Sequence, residues 1–229
     1  MHLETSSWTE VDEKAPTIAL LPVGSTEQHG PHAPVGTDTI VARAIAAEAD
    51  RTGDTDSVVL PALPVGVAPY HEHFPGTLSV SPETLRSYVR DIVASLSDSS
   101  VETVVFVNGH GGNGDTLAHL AREVSESPSN GLEAYRWEWM RAVDEHVGHA
   151  GELETAVLLH LCPDDVGEPV VGDALEWDDT VDGGTLHRFT DGFSENGAVG
   201  DATGATAKQG EAVFQTAVDA LGSFVERVD

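Results

Sequence analysis

Lysine is almost missing from this chain: Lys14 and Lys208 are the only two, and 11 Lys plus Arg stand against 39 Asp plus Glu, a formal charge of -28. A surface so poor in cations repels nucleic acid and anionic membrane, which excludes both as partners. The acidic residues spread over the whole length rather than forming a tail, the pattern of a chain solvated in concentrated salt, where screening shortens self-repulsion to a few Å. A halophilic source is expected. Cysteine is equally scarce. Cys162 stands alone, so no intramolecular disulfide is available, as in a reducing cytoplasm. The start, MHLETSSWTEVDEK, has no basic and apolar signal, and no window approaches the length of a membrane span. A cytoplasmic, soluble protein is the expectation.

What is present is a regular alternation. TIALLPVG (17–24), SVVLPALP (57–64) and VETVVFVN (101–108) are short apolar runs of buried-strand type. Helical patterns lie between them: from Asp38 to Arg51, stopped by Gly53, and SPETLRSYVRDIVASL, capped by Ser81 with Pro82 in the first turn. A further helix is expected after Asn113, then LEAYRWEWM as a strand, a helix in ELETAVLLHL and a last helix near 206–227. Residues 163–200 read as loop. One domain over 1–229 is expected, of three-layer α/β/α type with a mostly parallel central sheet.

In such sheets ligands bind outside the carboxyl ends of the strands. GSTEQHGPHAPVGTD (24–38) follows the first strand and NGHGGN (108–113) the third, so their polar residues can converge. In the first loop Glu27 and His29 alternate about Gln28, and Asp38 closes it just before a helix. His110 adds an imidazole, and HAGELE (149–154) adds His149, Glu152 and Glu154. Carboxylate and imidazole together suit Zn, Mn or Fe at an open catalytic site. Three carboxylates, Glu27, Asp38 and Glu152, keep a charge of -1 against one divalent ion and reach +1 with two, so a two-metal centre is plausible. The bland reading of Asp38 is a helix cap.

These motifs, with FPGTL (74–78), HAGELET and GDATGATA (200–207), resemble the ordered motifs of the creatininase family, metal-dependent amidohydrolases of mixed α/β fold. The resemblance implies that Glu27 and His110 hold one metal, His29 serves the other, Asp38 bridges them, and His149 is the general acid at the departing nitrogen. It also implies a small-molecule substrate and a homo-oligomer, often a hexamer. Creatininase itself carries a ligand Glu where this chain has Gly112 and an apolar residue where it has Glu152, so Glu152 is expected to complete the second metal, with Glu154 orienting a ligand. Creatininase also has a tryptophan where this chain has Glu145, which argues against creatinine. The family's other activities are a formamidopyrimidine nucleotide deformylase of flavin and deazaflavin synthesis and a mycofactocin-precursor peptidase. Arg136, Arg141 and Arg188 favour the phosphorylated, formamide substrate.

Other readings compete. Gly109 to Gly114 spell G-x-G-x-x-G between strand and helix, a dinucleotide-binding alternative, but on the third strand and with Glu133 at the wrong end of its strand. His71 and His73 form an H-x-H pair, for which surface exposure of His71 is expected ahead of ligation. His32 is expected to support the ligands by hydrogen bonding, and Trp137 and Trp139 to pack in the core. If the acidic surface is adapted to salt, the thermal midpoint rises on going from no added salt to molar KCl; a midpoint indifferent to salt would remove the halophilic reading.

Overall fold

The computed structural model describes residues 1–127, 131–143, 147–174, 178–182 and 184–229. Its centre is β1 (Ile18–Val23), all six residues of which are buried. It pairs in parallel with β2 (Ser57–Val59) on one side and β3 (Thr103–Asn108) on the other, and β3 pairs in parallel with β4 (Glu133–Glu138). The order β2-β1-β3-β4 leaves the central strands covered on both faces, which is why they read as unbroken apolar runs rather than as alternating ones.

Successive side chains of a strand point to opposite faces, and the core divides accordingly. Ile18, Leu20, Val105 and Val107 pack with Val41 and Ile45 of α2 (Thr37–Thr52), Leu153 and Val157 of α6 (Glu152–Leu161) and Phe214 and Leu221 of α7 (Ala207–Val228). Ala19, Leu21, Val104 and Phe106 pack on the other face, with Leu85 and Val89 of α3 (Pro82–Ala94) and Leu117 and Leu120 of α4 (Gly114–Ser125). Three layers follow from those two faces, as expected. The Ser81 cap of α3 is present, its side chain accepting from Thr84 N, and Trp137 and Trp139 are both buried in the first cluster.

Several boundaries differ from expectation. The second strand stops at Val59, because Pro61 and Pro64 lack the N–H that a sheet ladder requires. The fourth ends at Glu138 and turns into the short helix α5 (Trp139–Ala142). An unforeseen N-terminal helix, α1 (Trp8–Lys14), is closed by a capping box between Ser7 and Glu10. Within the stretch read as loop, β5 (Asp178–Val181) and β6 (Gly184–His187) pair antiparallel. Glu145, weighed above for substrate choice, lies outside the described residues. Among those described, no helix is long and apolar enough to cross a membrane.

α6 and α7 approach closely at Gly210, where an added Cβ would lie 1.8 Å from the Ala156 carbonyl oxygen. A methyl group there must push the two helices apart, at a cost of about 1–3 kcal/mol. Gly210→Ala is therefore expected to lower the thermal midpoint by several degrees; an unchanged midpoint would show that the close crossing is not needed.

Candidate metal centre

Val23 of β1 and Asn108 of β3 are register partners, so the loops that follow them leave the sheet together and at the same end. Glycines let them touch. An added Cβ on Gly24 would lie 2.3 Å from the Thr39 hydroxyl oxygen, and one on Gly109 would lie 2.2 Å from the Asp38 carbonyl oxygen. Asn113 ties a third loop in, donating from Nδ2 to Gly24 O at 3.0 Å and accepting from Val67 N at 2.9 Å. Gly109, Gly112 and Gly114 thus serve close packing: a Cβ on Gly112 would sit 2.2 Å from both the Tyr70 hydroxyl and the Val67 carbonyl oxygen.

The side chains that converge are buried: Glu27, His29, Asp38, His71, His110, His149 and Glu154. His110 Nδ1 lies 3.1 Å from Glu27 Oε2 and 3.3 Å from Asp38 Oδ2. His29 Nε2 lies 3.3 Å from Asp38 Oδ1 and 3.9 Å from Glu154 Oε2. Asp38 is inside the first turn of α2, which begins without a side-chain cap, so capping does not explain it. Three overlapping groups present potential ligand atoms within 4.8 Å of one another: Glu27, Asp38 and His110; His29, His149 and Glu154; and Glu27, His71 and His149.

Among the described residues, no hydrogen bond of ordinary geometry reaches either carboxylate oxygen of Glu27, Asp38 Oδ2 or His29 Nε2, all of them buried. Buried polar atoms in that condition are costly, and four of them in one pocket fit a cation-binding site better than a finished protein network. The field of the carboxylates is visible in the imidazoles. Burial opposes charge on His29, yet Asp38 and the other nearby carboxylates raise its pKa to about 10. His110 is likewise held well above the ordinary value, Glu27 and Asp38 outweighing burial. Burial opposes ionisation of Asp38, but His29 and His110 keep it below the usual carboxylate range. Burial pushes Glu154 up to about 7, and it pushes His71 down to about 4 and His149 well below the ordinary value.

Several expectations need correction. Glu152 does not join the cluster: it is exposed, and its Oε1 accepts from Gln209 Nε2 at 2.9 Å. Two residues along a helix turn the side chain through about 200°, so of the pair at the start of α6 it is Glu154 that faces His29. Glu154 is anchored by Ala150 N, which donates to its Oε2 at 2.6 Å. His71, in turn, is buried rather than exposed, with Nε2 3.4 Å from Glu27 Oε1. His73 remains outside, paired with Asp191 at 3.0 Å. His32 Nε2 lies 2.9 Å from the Thr155 hydroxyl, in contact with α6 rather than with a potential ligand.

His149 stands over the group with Nδ1 3.7 Å from Glu27 Oε1 and Nε2 2.8 Å from the Gln28 carbonyl oxygen. It stacks on His71 with ring centroids 4.2 Å apart and tilts against His29 at 4.4 Å. Gln28, which the sequence showed only as a spacer, bridges the two rings: its amide nitrogen is 2.9 Å from His71 Nδ1 and 2.9 Å from His149 Nε2. The cavity of about 390 Å³ in front of them is lined by Tyr70, Met140, Arg188 and the Gly109–Gly112 loop as well as by the cluster. Of the three arginines expected near the substrate, only Arg188 lines it. Arg136 and Arg141 both pair with Glu138 and line a separate depression beside α7.

A family model described as creatininase, creatinine amidohydrolase, matches residues 4–225. The mycofactocin precursor peptide peptidase of Mycolicibacterium smegmatis is 37% identical over 236 residues, covering 98% of this chain and 90% of its own. The creatinine amidohydrolase of Pseudomonas putida is 27% identical over 186 residues, covering 69% of this chain and 70% of its own. A manganese creatininase structure superimposes with a TM-score of 0.83 at 21% identity, over 99% of this chain and 97% of its own. The chain belongs to the creatininase family, whose members are metal-dependent amidohydrolases.

Proposed function

We propose that the protein is a two-metal hydrolase of an amide C–N bond in a peptide, the chemistry named for its Mycolicibacterium relative. The observation that carries this reading is the confrontation of these four buried atoms, on Glu27, Asp38 and His29, at the floor of an open cavity. In the proposed assignment Glu27 and His110 would hold one cation and His29 and Glu154 the other, with Asp38 beside both His110 and His29. Zn, Mn or Fe would fit this donor set of carboxylate and imidazole, and manganese and Zn–Zn forms of creatininase are known as structures. Bound there, two divalent ions would polarise the scissile carbonyl and lower the pKa of water towards about 7.

The chain's own part is to place and move protons. His149 directs Nδ1 to the cavity side and Nε2 to a backbone carbonyl. A neutral imidazole so held accepts a proton at Nδ1 from the attacking water and returns it to the departing nitrogen. Burial raises Glu154 to about 7, so a cation bound there would displace a proton and bind more tightly as pH rises. Tyr70, His71, Met140 and the 109–112 loop shape the cavity that would receive the substrate. A formamidopyrimidine nucleotide would need a cation for its phosphate, and of Arg136, Arg141 and Arg188 only Arg188 lines the cavity, the other two pairing with Glu138. Cytoplasmic location, a homo-oligomer and a single domain over 1–229 remain part of this proposal.

Zinc- or manganese-loaded protein is expected to cleave a synthetic mycofactocin precursor peptide and to leave creatinine and a formamidopyrimidine nucleotide intact. Turnover of either small molecule with the peptide untouched would refute the peptidase reading. His149→Ala is expected to retain its metal and lose about 10²–10⁴-fold in kcat, whereas full turnover would take His149 out of the mechanism. Glu154→Ala should bind one metal ion fewer by elemental analysis, while Glu152→Ala keeps the full complement; the reverse result would restore Glu152 as the ligand.

A further inference from the structure

Gln28 is buried beneath the two stacked imidazoles, and its amide cannot be turned round. Its Oε1 accepts from the backbone N–H of Gly30 at 2.9 Å, and its Nε2 lies 2.9 Å from the Gly197 carbonyl oxygen. The first partner can only donate and the second can only accept, so the oxygen and the nitrogen are assigned by chemistry rather than by choice. The nitrogen then faces His71 Nδ1 and His149 Nε2, each at 2.9 Å.

Each ring takes its tautomer from a different group of Gln28. His149 Nε2 is also 2.8 Å from the Gln28 main-chain carbonyl oxygen, an acceptor only, so Nε2 carries the hydrogen and Nδ1 is the acceptor. The two hydrogens of the Gln28 amide therefore go to Gly197 O and to His71 Nδ1. His71 must then accept at Nδ1 and, as a neutral ring, carry its hydrogen on Nε2, the atom 3.4 Å from Glu27 Oε1. The Thr190 hydroxyl, 2.9 Å from His71 Nδ1, is a group that can donate as well as accept, which is compatible with this tautomer.

We infer that Gln28 holds both neighbours in the Nε2–H tautomer, His71 through its side-chain amide and His149 through its main-chain carbonyl, so that His149 meets the cavity as a proton acceptor at Nδ1 and His71 meets it as a hydrogen-bond donor at Nε2. His71 is thereby not a metal ligand, although its distance to Glu27 and His149 would permit one. Its Nε2 stands beside Glu27 Oε1 in the lining of the cavity, where it donates to the substrate oxygen that gains charge as the carbonyl is attacked. Gln28 itself touches no substrate and is a positioning residue. The tautomers stand on the hydrogen bonds alone; the role of His71 in turnover rests on the hydrolase reading given above.

The test uses full-length protein labelled with ¹⁵N-histidine and loaded with zinc. Long-range ¹H–¹⁵N spectra are expected to show His71 protonated on Nε2 and His149 on Nε2, each assigned by the loss of its signals in His71→Asn and His149→Ala. A hydrogen on His71 Nδ1 in the wild-type protein would overturn the inference. Gln28→Glu replaces the donor by an acceptor and is expected to move the His71 hydrogen to Nδ1; a hydrogen that stays on Nε2 would remove Gln28 from its role. Should that variant fail to fold, the wild-type spectrum still decides the tautomer. His71→Asn is expected to keep the wild-type zinc content, and loss of one zinc would make His71 a ligand after all. With a cleavable precursor peptide, His71→Asn should lower kcat by about 10²-fold with KM little changed, and a change confined to KM would overturn the donor role. If no peptide is cleaved by the wild-type protein, the peptidase reading fails while the spectra and the zinc content still judge the tautomers.

Discussion

Two carboxylates, those of Glu27 and Asp38, are held out of water within reach of the same imidazole, His110. Like charges so placed in a medium of low polarity repel strongly, and ionised groups stripped of water are costly unless something positive stands between them. The same carboxylates favour positive charge on His29 and His110, and hold both rings well above the ordinary histidine range. The rest of the local structure keeps this unfavourable gathering in place. Its glycines admit the loops to one another, and its asparagines lock the backbones that carry the ligands.

The sheet makes that gathering affordable. β1 and β3 lie side by side in register from Ile18↔Thr103 to Val23↔Asn108, so two loops some eighty residues apart start from adjacent points at one edge of a rigid layer. Both strands are buried throughout, and helices pack against both of their faces. Rigid elements of this kind hold polar groups in positions that flexible loops alone would not maintain. The last polar group arrives from the first turn of α6, which packs on α2 and α7 and thereby sets how far Glu154 reaches toward His29.

Much of this was legible in order and type. The alternation of apolar runs with capped helical patterns led to the three layers, and the sheet ends identified the loops that would face each other. Glu27, His29, Asp38 and His110 were singled out because their residue types and their placement after strands agree. Elsewhere local signals misled. Glu152 and Glu154 both stand at the start of a helix, and charge counting along the chain could not say which face of α6 would be turned inward. His71 sits in a loop of Pro and Gly that suggests exposure; its burial comes from Thr190 and His149, residues distant in the sequence that pack around it. Gln28 carried no signal, since an amide becomes informative only when its partners are known.

Strand and helix periodicity, helix caps and the ligand-type residues were determined by the sequence itself, because they depend on near neighbours along the chain and on side-chain chemistry. Which carboxylate turns inward, which histidine is buried and which nitrogen of each ring carries the hydrogen were decided only by the tertiary structure. Those properties depend on distance and direction between groups far apart in the chain. Only the packed fold supplies them, through the crossing of α6 with α7 and the meeting of the loops after β1 and β3.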